Sequence, residues 1–324
     1  MPSSNSRISG AAGEDGDSTA LSIAELSELF GGEAAEVERH CGSLIAGLDL
    51  RYRRPNRSER DQLILEALKK LEDGALSVAG PGRQLDWERG WRENLDALTG
   101  GDYALDTLVP RYVKSGLPIR LNGDYALSKG AFVRDYTVAF RAWLFHRYLG
   151  DADAIYEFGC GPAQHLAYLA RAFPGKRLIG LDWAQSSVDI VEALARRYGW
   201  PMVGRSFDFF SPDRSLDLPA GSAVLTFGAL EQTGDRWGPF LEFILDRRPR
   251  RCVHVEPLLE LYDDDSLLDH LAIRYHRQRS YLAGLVPRLQ RLAADGRIVI
   301  DKLHRHRFGT AFAETYSYVV WHPC

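Results

Sequence analysis

The residues of this 324-residue chain best suited to chemistry lie where two apolar runs meet carboxylates. The first run, Ile155–Phe158, contains Glu157 and is followed by Gly159 and Gly161. The second run, Leu178–Leu181, ends in Asp182. Glycines at this spacing let the backbone turn tightly and approach a ligand without a Cβ clash. The pattern predicts a strand–turn–helix–strand unit with a nucleoside-like cofactor at the strand tips.

The turn between these runs argues against a dinucleotide as the cofactor. The dinucleotide fingerprint, G-x-G-x-x-G, has a third glycine where this chain has Gln164. Glu157 would also repel a pyrophosphate, whereas it would attract an ammonium group. A nicotinamide cofactor is therefore disfavoured.

Strand-like and helix-like segments alternate from residue 153 onward, which implies parallel strands joined by right-handed crossovers. Only a loop, Arg305–Thr315, separates the last two strands, which predicts an antiparallel hairpin. We expect an α/β fold with a seven-stranded, mostly parallel, doubly wound sheet. Its predicted strands are Ala154–Phe158, Arg177–Leu181, Met202–Phe207, Ala223–Phe227, Cys252–Pro257, Ile298–Leu303 and Ser317–Trp321, and its predicted helices are Gln164–Phe173, Ser186–Tyr198, Trp237–Leu245 and Ser266–Asp295.

The part of the chain before this core has a different pattern. Residues 1–18 are rich in Ser, Gly and Asp, which predicts a disordered leader. Residues 19–130 form a predicted helical N-terminal domain, since no alternating strand pattern precedes residue 100. Its last part, 101–130, is aromatic and punctuated by glycine, which suits a lid over a site. Residues 131–324 form the predicted nucleotide-binding domain.

The segment Glu157–Pro162 resembles the acidic-x-Gly-x-Gly motif of class I S-adenosylmethionine-dependent methyltransferases. The predicted strand pattern resembles that family as well, over about residues 131–324. Asp182 matches the acidic residue that ends the family's second strand, 182 − 161 = 21 residues after Gly161. The chain departs from the motif at Ala163, where many members have a third glycine.

This resemblance implies S-adenosylmethionine as the cofactor and assigns residues to its parts. Glu157, Gly159 and Gly161 would hold the methionine part, and Asp182 the ribose. Asp208 and Phe209 are implied at the adenine, and Phe227, at the end of the fourth strand, is a further implied cofactor contact. Trp183 could stack on the adenine or form a hydrophobic plug after the strand.

Two further carboxylates, Glu231 and Glu256, follow the fourth and fifth predicted strands, where open α/β sheets bind substrates. Paired carboxylates favour a cationic group. The sequence therefore predicts N-methylation of an amino acid, an amine or a guanidinium group held by this pair. The structural alternative is that Glu231 caps a helix near Gly234 and that Glu256 precedes a proline turn.

Two other functions fit the same sequence. His254 or a tyrosine could act as the base of an O- or C-methyltransferase of a specialised metabolite, although such a histidine is more often a hydrogen-bonded core residue. A non-catalytic partner subunit that keeps the fold is the third reading. Tyr125 is the predicted lid contact to the substrate, and packing between the helical part and the core is its alternative role.

The amino-acid composition of the chain limits the kinds of partner that it can bind. The net charge of −4 and the pI of about 6.2 give no basic field for nucleic acid. No apolar run is long enough to span a bilayer. The four cysteines, which lie far apart, indicate neither a zinc site nor a disulfide framework. We expect a cytoplasmic enzyme with a small-molecule substrate, no bound metal, and a homodimer through the helical domain.

Overall fold

The computed structural model describes residues 18–109 and 116–324. The predicted leader, apart from Ser18, and residues 110–115 of the predicted lid segment lie outside these ranges. The helices are α1 Ile23–Phe30, α2 Ala34–Ile45, α3 Arg57–Glu72, α4 Gln84–Gly100, α5 Phe132–Tyr148, α6 Gln164–Ala172, α7 Gln185–Tyr198, α8 Gly238–Arg247, α9 Leu267–Arg279 and α10 Leu285–Ala294. The strands are β1 Thr19–Ala20, β2 Arg51–Arg53, β3 Pro118–Leu121, β4 Asp124–Ser128, β5 Ala154–Phe158, β6 Arg177–Asp182, β7 Met202–Ser206, β8 Ser222–Phe227, β9 Arg251–Val255, β10 Ile298–His304, β11 Phe308–Thr310 and β12 Tyr318–Pro323.

The larger sheet has seven strands in the order β10-β12-β9-β8-β5-β6-β7. Strands β9, β8, β5, β6 and β7 are parallel, and β12 is antiparallel to both β9 and β10. This is the mixed, mostly parallel sheet that the sequence predicts. Because the chain order reverses at β5, the carboxyl ends of β5 and β8 form the edge where such sheets bind ligands.

Helices cover both faces of this sheet, because successive strand residues point to opposite sides. Ile155 of β5 packs in a cluster with Phe140 of α5 and Leu166 of α6. Its neighbour Tyr156 packs in a second cluster with Ile244 of α8. The sheet is therefore doubly wound, with a hydrophobic core on each side.

The second sheet corrects the prediction of a mainly helical domain, with a lid-like segment, before residue 131. Its five strands run in the order β1-β2-β4-β3-β11, and their pairing is antiparallel. Strand β11 lies between β10 and β12 in the chain, so the predicted hairpin loop contains a strand that joins the other sheet. One sheet therefore contains strands from both sides of the predicted boundary between residues 130 and 131.

The predicted helix Ser266–Asp295 is two helices, α9 and α10. The backbone leaves the helical conformation at Ser280, which has a φ of 49°, and α10 follows Gly284, which has a φ of 83°. No helix of the described residues is long and apolar enough to cross a membrane.

Candidate functional site

The turn after β5 depends on glycine in the way the sequence predicts. Gly159 has a φ of 74° and Gly161 a φ of 50°, which is the left-handed region that side chains disfavour. A Cβ atom on Gly159 would lie 2.3 Å from the Cβ of Ala229, in the turn after β8. The glycine therefore allows the tips of β5 and β8 to meet.

Asp182 joins this turn to the tip of β6. One carboxylate oxygen accepts the backbone N–H of Gly161 and the other accepts that of Ala184, both at 2.9 Å. Burial raises the pKa of this carboxyl to about 6, although the backbone hydrogen bonds oppose the shift. A carboxylate fixed beside a glycine turn can accept hydrogen bonds from a ribose diol.

Glu157 is buried at the end of β5 with one oxygen engaged and one free. Its Oε1 lies 2.6 Å from Nδ1 of His165 on α6. Its Oε2 is shielded from solvent and has no hydrogen-bond partner among the described residues. An unpaired buried oxygen is costly, so this atom is suited to a donor from a ligand.

A cavity with six aromatic residues among the thirteen that line it lies over the glycine turn. Trp183 and Phe209 line it, and their predicted contact with a cofactor stays a prediction. Asp208 is not among the lining residues, and it accepts the backbone N–H of Phe210 at 2.9 Å. An aromatic slot of this kind suits the flat face of an adenine. The lining residues are Trp87, Trp91, Gly159, Gly161, Asp182, Trp183, Phe207, Phe209, Phe210, Gly228, Ala229, Gln232 and Thr233.

Helix α4 forms the roof of this cavity, which the sequence did not reveal. Its Trp87 and Trp91 stack with ring centroids 5.3 Å apart. A Cβ atom on Gly161 would lie 3.1 Å from the Trp91 ring. Glu88 between them accepts the backbone N–H of Ser186 at 3.1 Å and thereby ties α4 to α7. The available signal was the spacing of the two tryptophans, four residues apart in the predicted helical domain, which places them on one helix face.

Glu231 and Glu256 come together beyond the tips of β8 and β9, but their environments differ. Glu256 is completely buried, and it accepts the backbone N–H groups of Ala229, Leu230 and Glu231 at 3.0–3.2 Å. Burial and the charge of Glu231 raise the pKa of this carboxyl to about 8. Glu256 therefore holds the turn after β8 and has no free face for a substrate.

Glu231 is only half-buried, and Gln232 donates to its Oε1 at 2.9 Å. The surrounding side chains desolvate the carboxyl and raise its pKa to about 7, while Gln232 and the charge of Arg279 oppose this shift. Arg279 itself lies over the ring of Tyr281 at 4.5 Å. Of the predicted pair, Glu231 is the carboxylate that a ligand can reach.

His254 occupies a position that argues against a role as base. It is buried on β9, its Nδ1 lies 3.0 Å from Oγ1 of Thr226, and its ring packs near Phe240 and Trp321. Burial lowers its pKa to about 3, so the imidazole is neutral near neutral pH. The structure thus favours the core role for this histidine.

Tyr125 also lies away from the cavity. It is fully buried on β4, in a cluster with Leu71 of α3 and Leu271 of α9. The prediction of Tyr125 as a lid contact is therefore wrong, because its ring packs between secondary-structure elements. The aromatic cover of the cavity comes from α4 instead.

Phe227 ends β8 on the side of the sheet that faces α5 and α6. Its ring centroid lies 4.4 Å from that of His165 and 5.3 Å from that of Tyr316. Tyr316, and Arg141 of α5, which lies near it, are polar residues that the sequence did not single out. They come from segments distant in the chain, so no local motif connects them.

The described residues contain no group of three or more His, Cys, Asp or Glu side chains placed to hold a metal ion. No protein-family model and no curated protein matches the sequence. The chain is similar to several solved methyltransferase structures, all at low identity.

One is the 16S rRNA methyltransferase RmtF with S-adenosyl-L-homocysteine, which is 17% identical over 93% of this chain and 97% of that chain, with a TM-score of 0.41. A second is an O-methyltransferase of neocarzinostatin biosynthesis with S-adenosylmethionine and a naphthoic acid, which is 16% identical over 93% and 89%, with a TM-score of 0.40. A third is a SAM-dependent methyltransferase from Aquifex aeolicus, which is 13% identical over 56% and 87%, with a TM-score of 0.38. These similarities do not identify a substrate for this chain.

Proposed function

We propose that this protein is an S-adenosylmethionine-dependent methyltransferase acting on a small molecule. The observation that carries the proposal is the Gly159–Gly161 turn, which is tied to Asp182 beneath an aromatic cavity. The free Oε2 of Glu157 matches the ammonium of a methionine moiety, Asp182 the ribose hydroxyls, and Trp183 with Phe209 the adenine. When bound, the cofactor supplies a methyl group on a positively charged sulfur.

The favoured acceptor is a nitrogen of an amine, an amino acid or a guanidinium group. Glu231 supports this choice, because it is half-buried, unlike Glu256, and directly precedes Gln232 and Thr233, which line the cavity. Glu231 orients the cationic group by a charge-assisted hydrogen bond. It also accepts a proton from an ammonium, and the lone pair that this frees forms the new N–C bond as the S–C bond breaks.

The other residues exclude water and fix the geometry. Trp87 and Trp91 close the cavity from above, so the reaction proceeds away from bulk solvent. Glu256 holds the turn that carries Glu231 through three backbone hydrogen bonds. Glu256 is therefore a positioning residue in this proposal, although the sequence suggested that it binds substrate.

A hydroxyl acceptor is the second candidate, and the pKa of Glu231 near 7 favours it. A base with a pKa close to the ambient pH is effective in removing a hydroxyl proton. Glu231 would then replace His254 as the base of an O-methyltransferase.

The test begins with titration calorimetry of the protein against S-adenosylmethionine and S-adenosylhomocysteine. Transfer of a labelled methyl group is then measured for a panel of amines, amino acids, guanidines, phenols and alcohols, with mass spectrometry of the products. We expect cofactor binding and methylated nitrogen. The absence of cofactor binding would overturn the proposal and favour a non-catalytic subunit.

The role of Glu231 is tested separately with Glu231→Gln and a matched control, Glu242→Gln. Glu242 is an exposed glutamate of α8 that pairs with Arg288. We expect only Glu231→Gln to lose turnover, with cofactor affinity retained in both. Unchanged turnover in Glu231→Gln would refute the acceptor assignment and leave the cofactor assignment intact.

The expected homodimer through residues 19–130 and the cytoplasmic location stay predictions. Light scattering after size-exclusion chromatography measures the first, and fractionation of the native cell measures the second.

A further inference from the structure

Arg141 is a half-buried residue of α5 whose guanidinium has unused hydrogen-bonding capacity among the described residues. Its Nε is shielded from solvent and has no hydrogen-bond partner, and the side chain forms no ion pair within the described residues. Its charged end lies over the ring of Tyr168 at 5.1 Å. Burial lowers its pKa, although the charge of Glu157 opposes this shift.

Glu157 has a carboxylate oxygen that is free to accept a hydrogen bond. This buried carboxylate uses Oε1 for His165 and leaves Oε2 without a partner among the described residues. Arg141 and Glu157 contact neighbouring residues of α6, since the guanidinium lies over Tyr168 and Glu157 bonds to His165, three positions earlier. The two side chains form no ion pair with each other. One positive and one negative group therefore face the same region, each with unused hydrogen-bonding capacity.

Buried charges without partners are costly, and their pairing with a ligand removes that cost. An α-amino acid group carries an ammonium and a carboxylate two bonds apart, and thus presents both complementary charges. The planar guanidinium of arginine binds a carboxylate through two parallel hydrogen bonds. Other ligand groups that carry a single charge would satisfy only one of the two side chains.

We propose that Arg141 is the carboxylate receptor of a site that binds an α-amino acid group, whose ammonium lies at Glu157. This inference rests on the proposed methyltransferase function and names a binding residue that the sequence did not predict. The group belongs either to the cofactor's methionine part or to an amino acid substrate. The position of Glu157, just before the glycine turn, favours the cofactor.

The experiment compares the dissociation constants of three ligands by titration calorimetry, in the wild type and in Arg141→Met. S-adenosylhomocysteine carries the whole amino acid group. Decarboxylated S-adenosylmethionine keeps the ammonium of this group and lacks its carboxylate, and 5′-methylthioadenosine lacks the group entirely. We expect Arg141→Met to weaken S-adenosylhomocysteine binding roughly 10- to 100-fold, as for loss of a charged hydrogen bond. The affinities of the other two ligands should stay within about twofold.

Two further variants separate charge from packing. Arg141→Lys keeps the charge without the bidentate geometry and should recover part of the S-adenosylhomocysteine affinity. Arg134→Met, on the same helix, removes an exposed arginine that pairs with Asp135, and serves as the control. Thermal unfolding shows whether each variant is folded. If Arg141→Met is unfolded, Arg141→Lys replaces it in the comparison with the wild type.

If the amino acid group belongs to the substrate and not to the cofactor, the experiment gives a different result. Arg141→Met would then leave all three cofactor ligands unchanged and raise the KM of carboxylate-bearing acceptors but not of their decarboxylated analogues. The inference is overturned if the variant changes neither quantity, or weakens all three ligands equally. If the wild type binds none of the three ligands, it is the proposed function that fails.

Discussion

The backbone N–H of Glu231 donates to Oε2 of Glu256 at 3.1 Å, so the second glutamate helps to fix the segment that carries the first. The two residues are neighbours without being equivalent. Glu256 uses both oxygens on backbone donors, whereas Glu231 is half-buried and reachable. The sequence predicts that both carboxylates hold the substrate. In the structure, Glu256 is instead a positioning residue, and Glu231 is the residue that can face a ligand.

This division predicts that two matched substitutions change the stability of the protein to different extents. Glu256→Met leaves the three N–H groups of residues 229–231 unpaired, and it should lower the free energy of unfolding by about 3 kcal/mol or more. Glu231→Met removes a single hydrogen bond from Gln232, so its stability should change by less than about 1 kcal/mol. Urea unfolding, monitored by circular dichroism, measures both.

Burial raises the pKa of both glutamates, so the contrast rests on the hydrogen bonds, and electrostatics adds a pH dependence. The pKa of Glu231 rises from its ordinary value to about 7 in the folded protein, so the protonated form contributes stability that is lost as the pH rises from about 4.5 to 7. Above that range Glu231→Met removes an unfavourable buried charge. Equal loss of stability in the two variants at pH 8 would contradict the division of roles.

The strand tips could be predicted because their signals are local. Gly159 and Gly161 adopt positive φ angles directly after an apolar strand, and Asp182 ends the next strand. The small sheet could not be predicted, because β2 has only three residues with arginine at both ends, and β11 has three residues inside a predicted loop. Strands this short are stabilised by partners distant in the chain, which the local pattern does not encode.

The same limit applies to the site. The roles of Glu256 and His254 depend on which groups meet them across the sheet. The sequence places both near the end of a predicted strand, where a ligand could bind, but does not show these groups. The register places Thr226 opposite His254. Trp91 reaches the cavity only because α4 packs on α7. These tertiary contacts decided the roles that the sequence left open.

Gly159→Ala should impair both folding and cofactor binding. The new Cβ would lie 2.3 Å from the Cβ of Ala229, and the positive φ adds strain of about 1–2 kcal/mol. Gly175→Ala is the matched control, since Gly175 has a φ of 84° and no atom within 4 Å of the added Cβ. Only Gly159→Ala should abolish S-adenosylhomocysteine binding in calorimetry. Similar behaviour of the two variants would mean that the close approach of β5 and β8 is unimportant for the site.

The affinity for S-adenosylhomocysteine should fall as the pH drops below about 6. Asp182 has a pKa near 6, and its ionised form accepts hydrogen bonds from ribose hydroxyls. Protonation removes an acceptor, so the dissociation constant should rise up to about tenfold per pH unit below the pKa. Asp182→Asn should bind weakly with little pH dependence. An affinity in the wild type that is constant from about pH 5 to 8 would argue against contact between Asp182 and the ligand.

Trp91→Ala should weaken S-adenosylhomocysteine binding about tenfold and accelerate its dissociation, because the roof of the cavity loses its contact with Gly161. Leu85→Ala, at a 78% exposed position of the same helix, is the control and should have no effect. Stopped-flow tryptophan fluorescence measures the rates. Hydrogen exchange should also show that the ligand protects the amides of α4. If exchange in α4 is insensitive to the ligand, the helix is not part of the binding site.

The rate of methyl transfer should increase with pH through about 7, because Glu231 is protonated below its raised pKa and ionised above it. Only the ionised form holds a cationic nitrogen or takes its proton. The kcat/KM profile from about pH 5 to 9 should lose this inflection in Glu231→Gln, while an inflection that belongs to the substrate amine stays. His254→Asn should keep the wild-type inflection, because the pKa of His254 is lowered to about 3 and the residue does not titrate in this range. An inflection that disappears in His254→Asn and persists in Glu231→Gln would assign the base to His254 instead.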